Sequence, residues 1–302
     1  MPILKRHKVP VDFFSRLSRA SERLLFLDYD GTIAPFHPES ARAIAYPQIS
    51  ELLQKLMDAT NTRLIFVTGR RARNLGRMIS LRPVPEIWGA QGIERLRPDG
   101  DYEQMPLRIA QLQRLAHVKA RLKTMDIECC LEQKPGSVAL HWRGLPSSVA
   151  SRDAATVLGV FSGEAGRNGL RVVKFDGGFE LRVATYTKAT AVLRTFEEAT
   201  PNSVAAYLGD DEPDEEAFKA LRAQDLGVLV SPVIRNTAAN CWVKPPEGVR
   251  EFLGAWISSC ASDPRTLPLS EPRSEQSDAR LQSEPCHTGA SWQGQQAGAR
   301  HD

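Results

Sequence analysis

The chain has 302 residues, of which 42% are hydrophobic and 25% charged, with a formal net charge of +3. That balance belongs to a globular chain long enough to bury a large core without staples, and with no Lys/Arg run interleaved with aromatics it excludes a nucleic-acid partner. No apolar stretch approaches the roughly 18 residues of a membrane helix, and no continuous apolar region follows the basic start, so neither a membrane anchor nor a signal peptide is expected.

Residues 11–20 read as a short amphipathic helix. Residues 23–28 form an apolar run ending in polar and glycine punctuation, as a buried parallel strand should. Ile49, Leu52, Leu53, Leu56 and Met57 recur at helical spacing within 48–59. Residues 63–67 are a second buried strand, followed by Thr68-Gly69-Arg70 and a helix through Met78, and 87–90 a third strand. The next block changes rhythm, with a helix over 107–125, strands at 127–132 and 138–142, a helix over 147–161, and strands at 171–175 and 179–183 around a turn at 176–178. Beyond it lie a helix at 190–198, a strand at 203–208, a helix at 215–221 and a strand at 226–230.

Strands alternating with helices imply right-handed crossovers and an α/β, doubly wound (Rossmann-like) parallel sheet. The middle block reads as an inserted α+β cap. The expected division is a discontinuous core of 1–104 and 177–260, a cap of 105–176 and a tail of 261–302. The tail is rich in Ser, Gln, Arg, Glu and Pro and is expected to be disordered, because it cannot offset its ordering entropy. The five cysteines, Cys129, Cys130, Cys241, Cys260 and Cys286, show no ligand spacing with the six histidines. Reduced thiols in a cytoplasmic protein are expected.

Four clusters carry chemistry, each after a strand. Asp28-Tyr29-Asp30-Gly31-Thr32 places two carboxylates where both can face one crevice. They can hold a divalent cation, or one can attack phosphorus while the other passes a proton to the leaving oxygen. Val67-Thr68-Gly69-Arg70 offers a hydroxyl beside a helix N-terminus, a small anion site. Lys188 can neutralise a phosphate as a point charge. Gly209-Asp210-Asp211-Glu212-Pro213-Asp214-Glu215 crowds carboxylates that repel one another unless a cation is present. Singly, each has a plainer reading as a solvated turn, an N-cap, a surface lysine or an acidic helix start. Their joint occurrence at strand ends points to phosphoryl transfer.

In this order the motifs resemble the haloacid dehalogenase-like phosphatases, and within them the trehalose-6-phosphate phosphatase family. Further matches are Gly89-Ala90-Gln91-Gly92-Ile93-Glu94, Glu132-Gln133-Lys134, His141-Trp142-Arg143, Phe179-Glu180-Leu181-Arg182 and the acidic run through Phe218. The resemblance covers residues 23–252 and implies hydrolysis of trehalose 6-phosphate through an aspartyl phosphate. By it Asp28 is the nucleophile and Asp30 the general acid/base. Thr68 and Lys188 hold the phosphoryl group, with Gly69 and Arg70 beside them in the substrate site. Mg2+ sits on Asp28, the Asp30 carbonyl and Asp210, with Asp211 and Asp214 completing or orienting the shell. Glu132, Lys134, Arg143 and Glu180 bind sugar hydroxyls. The expected partners are a sugar phosphate and a trehalose-phosphate synthase of the same pathway, for a chain expected to be monomeric. Gln91, Val183, Ala189 and Thr68 depart from the family's usual His, Pro, Gly and Ser. Competing readings are a phosphatase for sucrose phosphate or mannosyl-phosphoglycerate, and a non-catalytic sugar-phosphate sensor.

Overall fold

The computed structural model describes residues 9–261 apart from 38, 40, 41, 126, 128 and 176. The expected tail beyond Ala261, Cys286 and the Asp176 end of the turn lie outside the described residues. The chain opens with α1 (Val11–Arg19), β1 (Glu22–Leu27), α2 (Ile49–Ala59), β2 (Thr62–Val67), α3 (Ala72–Met78), β3 (Glu86–Gly89), β4 (Glu94–Leu96) and β5 (Tyr102–Gln104). The middle block is α4 (Ile109–Lys123), β6 (Cys130–Lys134), β7 (Ser137–His141), α5 (Ser147–Glu164), β8 (Leu170–Phe175) and β9 (Gly178–Val183). The remainder is α6 (Lys188–Glu198), β10 (Ser203–Gly209), α7 (Asp214–Ala220), β11 (Leu226–Val230), β12 (Cys241–Val243) and α8 (Glu247–Ala261).

The larger sheet runs β12-β11-β10-β1-β2-β3-β4-β5, parallel as far as β3 and antiparallel beyond it. Its central strands are apolar on both sides because both faces are covered. Leu25, Leu27, Leu64 and Phe66 point to one core, while Leu24, Phe26, Ile65 and Val67 point to the other. That alternation follows from the two-residue period of a strand. The smaller sheet, β6-β7-β9-β8, is antiparallel throughout. Its hydrophobic neighbours are the buried faces of α4 (Leu115, Val118, Leu122) and α5 (Val157, Val160, Phe161). The doubly wound α/β core with an inserted α+β layer is therefore present.

Several boundaries differ from expectation. The smaller sheet extends through Val183, so a division at 176/177 would cut off its strand β9, which pairs with both β7 and β8. Gly178, expected in the turn at 176–178, is instead the first residue of that strand, opposite His141 and Phe175. The strand expected at 127–132 begins at Cys130, which carries Lys134 into the ladder opposite Ser137. Helix α6 begins at Lys188 rather than Thr190. Thr187 caps it, its Oγ1 accepting from the Ala189 N–H at 3.2 Å while Thr190 Oγ1 accepts from the Thr187 N–H at 3.0 Å. The three-residue strands β4, β5 and β12 carried no usable period, and sheet pairing alone makes them strands.

Helix α8 also went unread, although Val249, Phe252, Leu253, Trp256, Ile257 and Cys260 make one buried face. That face packs on α1. The Trp256 ring lies 6.1 Å from Phe13 and 5.9 Å from Phe252, and its Nε1 donates to Thr62 Oγ1 at 3.0 Å. Trp256→Ala removes a fully buried side chain together with this bond, and should lower unfolding stability by about 3–5 kcal/mol in urea titration.

Candidate active site

Strand β1 lies between β10 and β2, so the chain winds outward from it in both directions. Such a reversal opens a crevice at the carboxyl ends of the strands. Asp28, Thr68 and Asp210 immediately follow β1, β2 and β10 and meet there. Asp28 continues the ladder through its N–H, which donates to the Leu208 carbonyl at 2.9 Å. The chain then turns at Gly31, which has φ +83°. A Cβ at Gly31 would lie 2.1 Å from Asp210 Oδ2, so the turn is packed directly against that carboxylate. Thr32 Oγ1 donates to the other Asp210 oxygen at 3.1 Å.

Lys188 enters the same space from the first turn of α6. Its ammonium is 3.0 Å from Asp28 Oδ2 and 2.7 Å from Asp214 Oδ1. Asp214, with no solvent exposure, also accepts from the Tyr207 hydroxyl at 2.6 Å and from the Asp210 and Asp211 N–H groups at 3.2 and 3.1 Å. It therefore fixes the acidic loop as well as the lysine. Burial alone would lower the Lys188 ammonium, but Asp214 and Asp28 outweigh it and raise it above the usual lysine value. Burial pushes Asp28 up to about 7; Lys188 opposes this, and Asp214 and Asp30 add to it. Burial, then Asp28 and Asp214, push Asp210 well above the usual carboxylate range.

One carboxylate oxygen from each of Asp28, Asp210 and Asp214 lies within 4.8 Å of the others. An all-carboxylate donor set whose members disfavour one another's charge fits a hard divalent cation. Of the other expected metal ligands, Asp30 gives both side-chain oxygens to Arg70, and Asp211 accepts from the Glu212 N–H at 2.8 Å on the cleft wall.

Asp30 receives both Arg70 Nε and Nη2, each at 2.6 Å. Arg70, expected to bind substrate, thus spends this fork on Asp30. Thr68 is fully buried, and its Oγ1 accepts from the Arg70 N–H at 3.1 Å, the local cap of the turn.

Of these groups Asp28, Asp30, Arg70, Lys188 and Asp211 floor a cleft of about 400 Å³ whose far wall is the smaller sheet, with Glu132, Lys134, His141, Arg143 and Glu180 lining it; Thr68, Asp210 and Asp214 lie behind that floor. The register places Glu132 and Glu180 on either side of Ala139. His141 Nε2 lies 3.0 Å from Glu132, and this bond, ahead of the opposing effect of burial, leads the lowering of that carboxyl to about 2. Lys134 Nζ donates to the Gly69 carbonyl at 3.1 Å and lies 3.4 Å from Glu180, so it links the wall to the floor. The Arg143 guanidinium lies over Phe36, 4.1 Å from the ring centroid.

Sequence reasoning assigned no role to Tyr207, Phe36, Asn74 or Arg235. Tyr207 looks like any residue of an apolar strand, and its hydroxyl finds Asp214 only once the next loop folds back. Arg235 donates to the Asp210 carbonyl at 2.9 Å from a loop with no motif. Phe36 and Asn74 line the cleft from separate segments.

The sequence model of the trehalose-phosphatase family matches residues 26–241. The chain is 31% identical over 258 residues to a trehalose-phosphate phosphatase of Mycobacterium leprae, covering 77% of this chain and 57% of that one. It is 27% identical over 240 residues to a bifunctional trehalose-6-phosphate synthase/phosphatase of Thermoproteus tenax, covering 79% of this chain and 32% of that one. The chain thus spans between about a third and three-fifths of the length of these curated relatives. Among solved structures, the C-terminal domain of C. albicans trehalose-6-phosphate phosphatase superposes with a TM-score of 0.69 at 17% identity, over 82% of this chain and 95% of that one. A haloacid dehalogenase-like hydrolase from B. subtilis gives 0.54 at 12% identity, over 76% of this chain and 98% of that one. At these identities the structures establish likeness of fold.

The packing of Gly31 on Asp210 makes a sharp expectation. Gly31→Ala adds a methyl group that must displace the Asp210 carboxylate. Displacement of a catalytic group by about 1 Å costs roughly a hundredfold in rate, so turnover at this site should fall at least that far while circular dichroism still reports a folded chain.

Proposed function

The chain belongs to the trehalose-phosphatase family, and from that membership we propose that it hydrolyses trehalose 6-phosphate to trehalose and inorganic phosphate through an aspartyl phosphate on Asp28. The observation that carries this reading is the Asp28 carboxylate held 3.0 Å from a buried ammonium, beneath a wall of polar side chains from a second sheet. The floor suits a phosphoryl group and the wall suits sugar hydroxyls.

In the first step an Asp28 oxygen attacks phosphorus, the bond from phosphorus to the sugar oxygen breaks, and Asp30 gives its proton to the departing oxygen. In the second, water attacks the aspartyl phosphate, Asp30 takes a proton from that water, and the Asp28 carboxylate is restored as phosphate leaves. Lys188 faces the negative phosphoryl oxygens, where a preorganised positive charge is worth more than in water, while the Thr68 hydroxyl, fully buried behind the cleft floor, holds the turn that carries Gly69 and Arg70. Arg70 fixes the direction of the Asp30 carboxylate through two bonds. Mg2+, held by Asp28, the Asp30 carbonyl and Asp210 with Asp211 and Asp214 completing or orienting the shell, would supply further positive charge to the phosphoryl oxygens. Glu132, Arg143 and Glu180 read sugar hydroxyls, and Lys134 does so while tying the wall to the Gly69 carbonyl. The relative named as both synthase and phosphatase supports a place directly after a synthase that forms this sugar phosphate.

The reading is tested by phosphate release across trehalose 6-phosphate, sucrose 6-phosphate, mannosyl-phosphoglycerate and glucose 6-phosphate, with Mg2+ and after chelation. Trehalose 6-phosphate should be turned over fastest, and chelation should remove activity that added Mg2+ restores. The cation should also raise the melting temperature by preferential binding to the folded chain. Preference for another sugar phosphate would replace the substrate, and full activity after chelation would reject the metal.

Asp28→Asn removes the attacking carboxylate and leaves its volume. Turnover should drop on the order of a thousandfold or more, with circular dichroism still reporting a folded chain because Asp214 continues to pair Lys188 at 2.7 Å. Mass spectrometry of acid-quenched wild-type enzyme should place one phosphoryl group on Asp28.

A further inference from the structure

Gln91 sits in the turn that follows β3, where Ala90 and Gln91 have φ of 47° and 61°. This conformation is unfavourable for a residue with a side chain, and the neighbouring loops impose it. The Gln91 N–H donates to the Thr68 carbonyl at 3.0 Å and the Ala90 N–H to the Arg70 carbonyl at 2.6 Å. Next to it, Gly92 is pressed on the loop before Lys188, where a Cβ would lie 2.3 Å from the Thr187 carbonyl oxygen. The turn is thus locked to the two loops that carry Thr68 and Lys188. Its one long polar side chain lies against Gly69, where a Cβ would meet Gln91 Nε2 at 2.8 Å.

Gln91 is 8% exposed and lines the cleft, and its Oε1 has no hydrogen-bond partner. Among the described residues the other buried side-chain atoms without a partner are arginine nitrogens, from Arg16, Arg171 and Arg182, none of which lines the cleft. Among the other polar groups of the cleft, Glu132 is engaged by His141, Glu180 by Ser137, Lys134 by the Gly69 carbonyl and Asp30 by Arg70. An amide oxygen buried without a donor is unfavourable in the free protein, and an aliphatic side chain of similar size would avoid that cost.

We propose that the Gln91 carboxamide oxygen accepts a hydrogen bond from a hydroxyl of the sugar ring that bears the phosphate, making Gln91 a specificity-determining residue. The inference rests on the reading of the cleft as a sugar-phosphate site. An acceptor calls for a donor, and ionised phosphoryl oxygens are not donors. The group recognised is therefore on the sugar. Attachment to Thr68 and Gly69 puts Gln91 beside the phosphoryl end of the cleft, so the hydroxyl belongs to the ring next to the ester. Glu132 and Glu180 read from the opposite wall. An aryl phosphate has no hydroxyl to offer and gains nothing from Gln91.

The test compares wild type, Gln91→Leu and Gln91→Asn on trehalose 6-phosphate and on p-nitrophenyl phosphate, with melting temperatures of all three. Asn tolerates positive φ but withdraws the oxygen by one methylene, so it reports even if Leu impairs folding. For both variants kcat/KM on the sugar phosphate should fall roughly ten- to hundredfold, at least about tenfold more than on the aryl ester. Melting temperatures should be unchanged or higher, because no bond within the protein is lost. Equal losses on both substrates, no loss on the sugar phosphate, or a lowered melting temperature in both variants would overturn the proposal. A wild type inactive on trehalose 6-phosphate but active on another sugar phosphate would overturn the substrate reading alone, and the same comparison on that substrate would still decide the role of Gln91. A wild type active only on the aryl ester would overturn both.

Discussion

The site depends on one ammonium group placed between two carboxylates. Lys188 is 3% exposed and touches Asp28 and Asp214 at 3.0 and 2.7 Å. It occupies the first position of a helix, where the backbone dipole disfavours a cation, and burial disfavours it further. Only the two carboxylates make that position tolerable, and without the lysine they would repel each other. Each therefore holds the other in place. Tyr207 and two backbone N–H groups complete the shell of Asp214, which leaves Asp28 as the carboxylate of the pair aimed into the cleft.

The two ends of the large sheet divide their labour. At the amino ends of the strands Glu86 is held by Arg63, Arg95 and the Trp88 indole, and Arg95 also pairs with Glu198 on α6. The hydrogen bonds from Arg95 lead the lowering of the Glu198 carboxyl to about 2, with burial opposing them. Arg63, Glu86, Arg95 and Glu198 line a hollow of about 620 Å³. Its arginines and glutamates satisfy one another, which marks it as a structural junction between β2, β3, β4 and α6. At the carboxyl ends, by contrast, like charges crowd together. Carboxylates perturbed in this way cluster at functional sites.

The smaller sheet serves the site through its polar face. Its other face packs on α4 and α5, which leaves Glu132, Lys134, Glu180 and Arg182 directed toward the larger sheet. Lys134 reaches the Gly69 carbonyl, and Arg171 and Arg182 reach Glu216 on α7. Two of the loops and helices that shape the floor are thus gripped from the wall, so the wall and floor of the cleft share supports.

The sequence by itself determined the apolar runs that become β1, β2 and β10, the carboxylates and hydroxyl that follow them, and the inserted block. Those features are local: a buried parallel strand needs a continuous apolar stretch, and the motif residues follow it within a turn. Tertiary structure decided which of those groups meet. Arg70 spends its fork on Asp30, 40 positions away; Lys188 reaches back to Asp28 and forward to Asp214; Tyr207 proves to be a polar partner inside an apolar strand. The same holds for β9, which completes the smaller sheet by pairing on both sides, and for Gln91, whose motif marks its place in the chain but not its burial beside Gly69. Contacts of this kind depend on the order and spacing of strands in the sheet. Side-chain periodicity records which face a residue occupies, but not which distant loop lies opposite it.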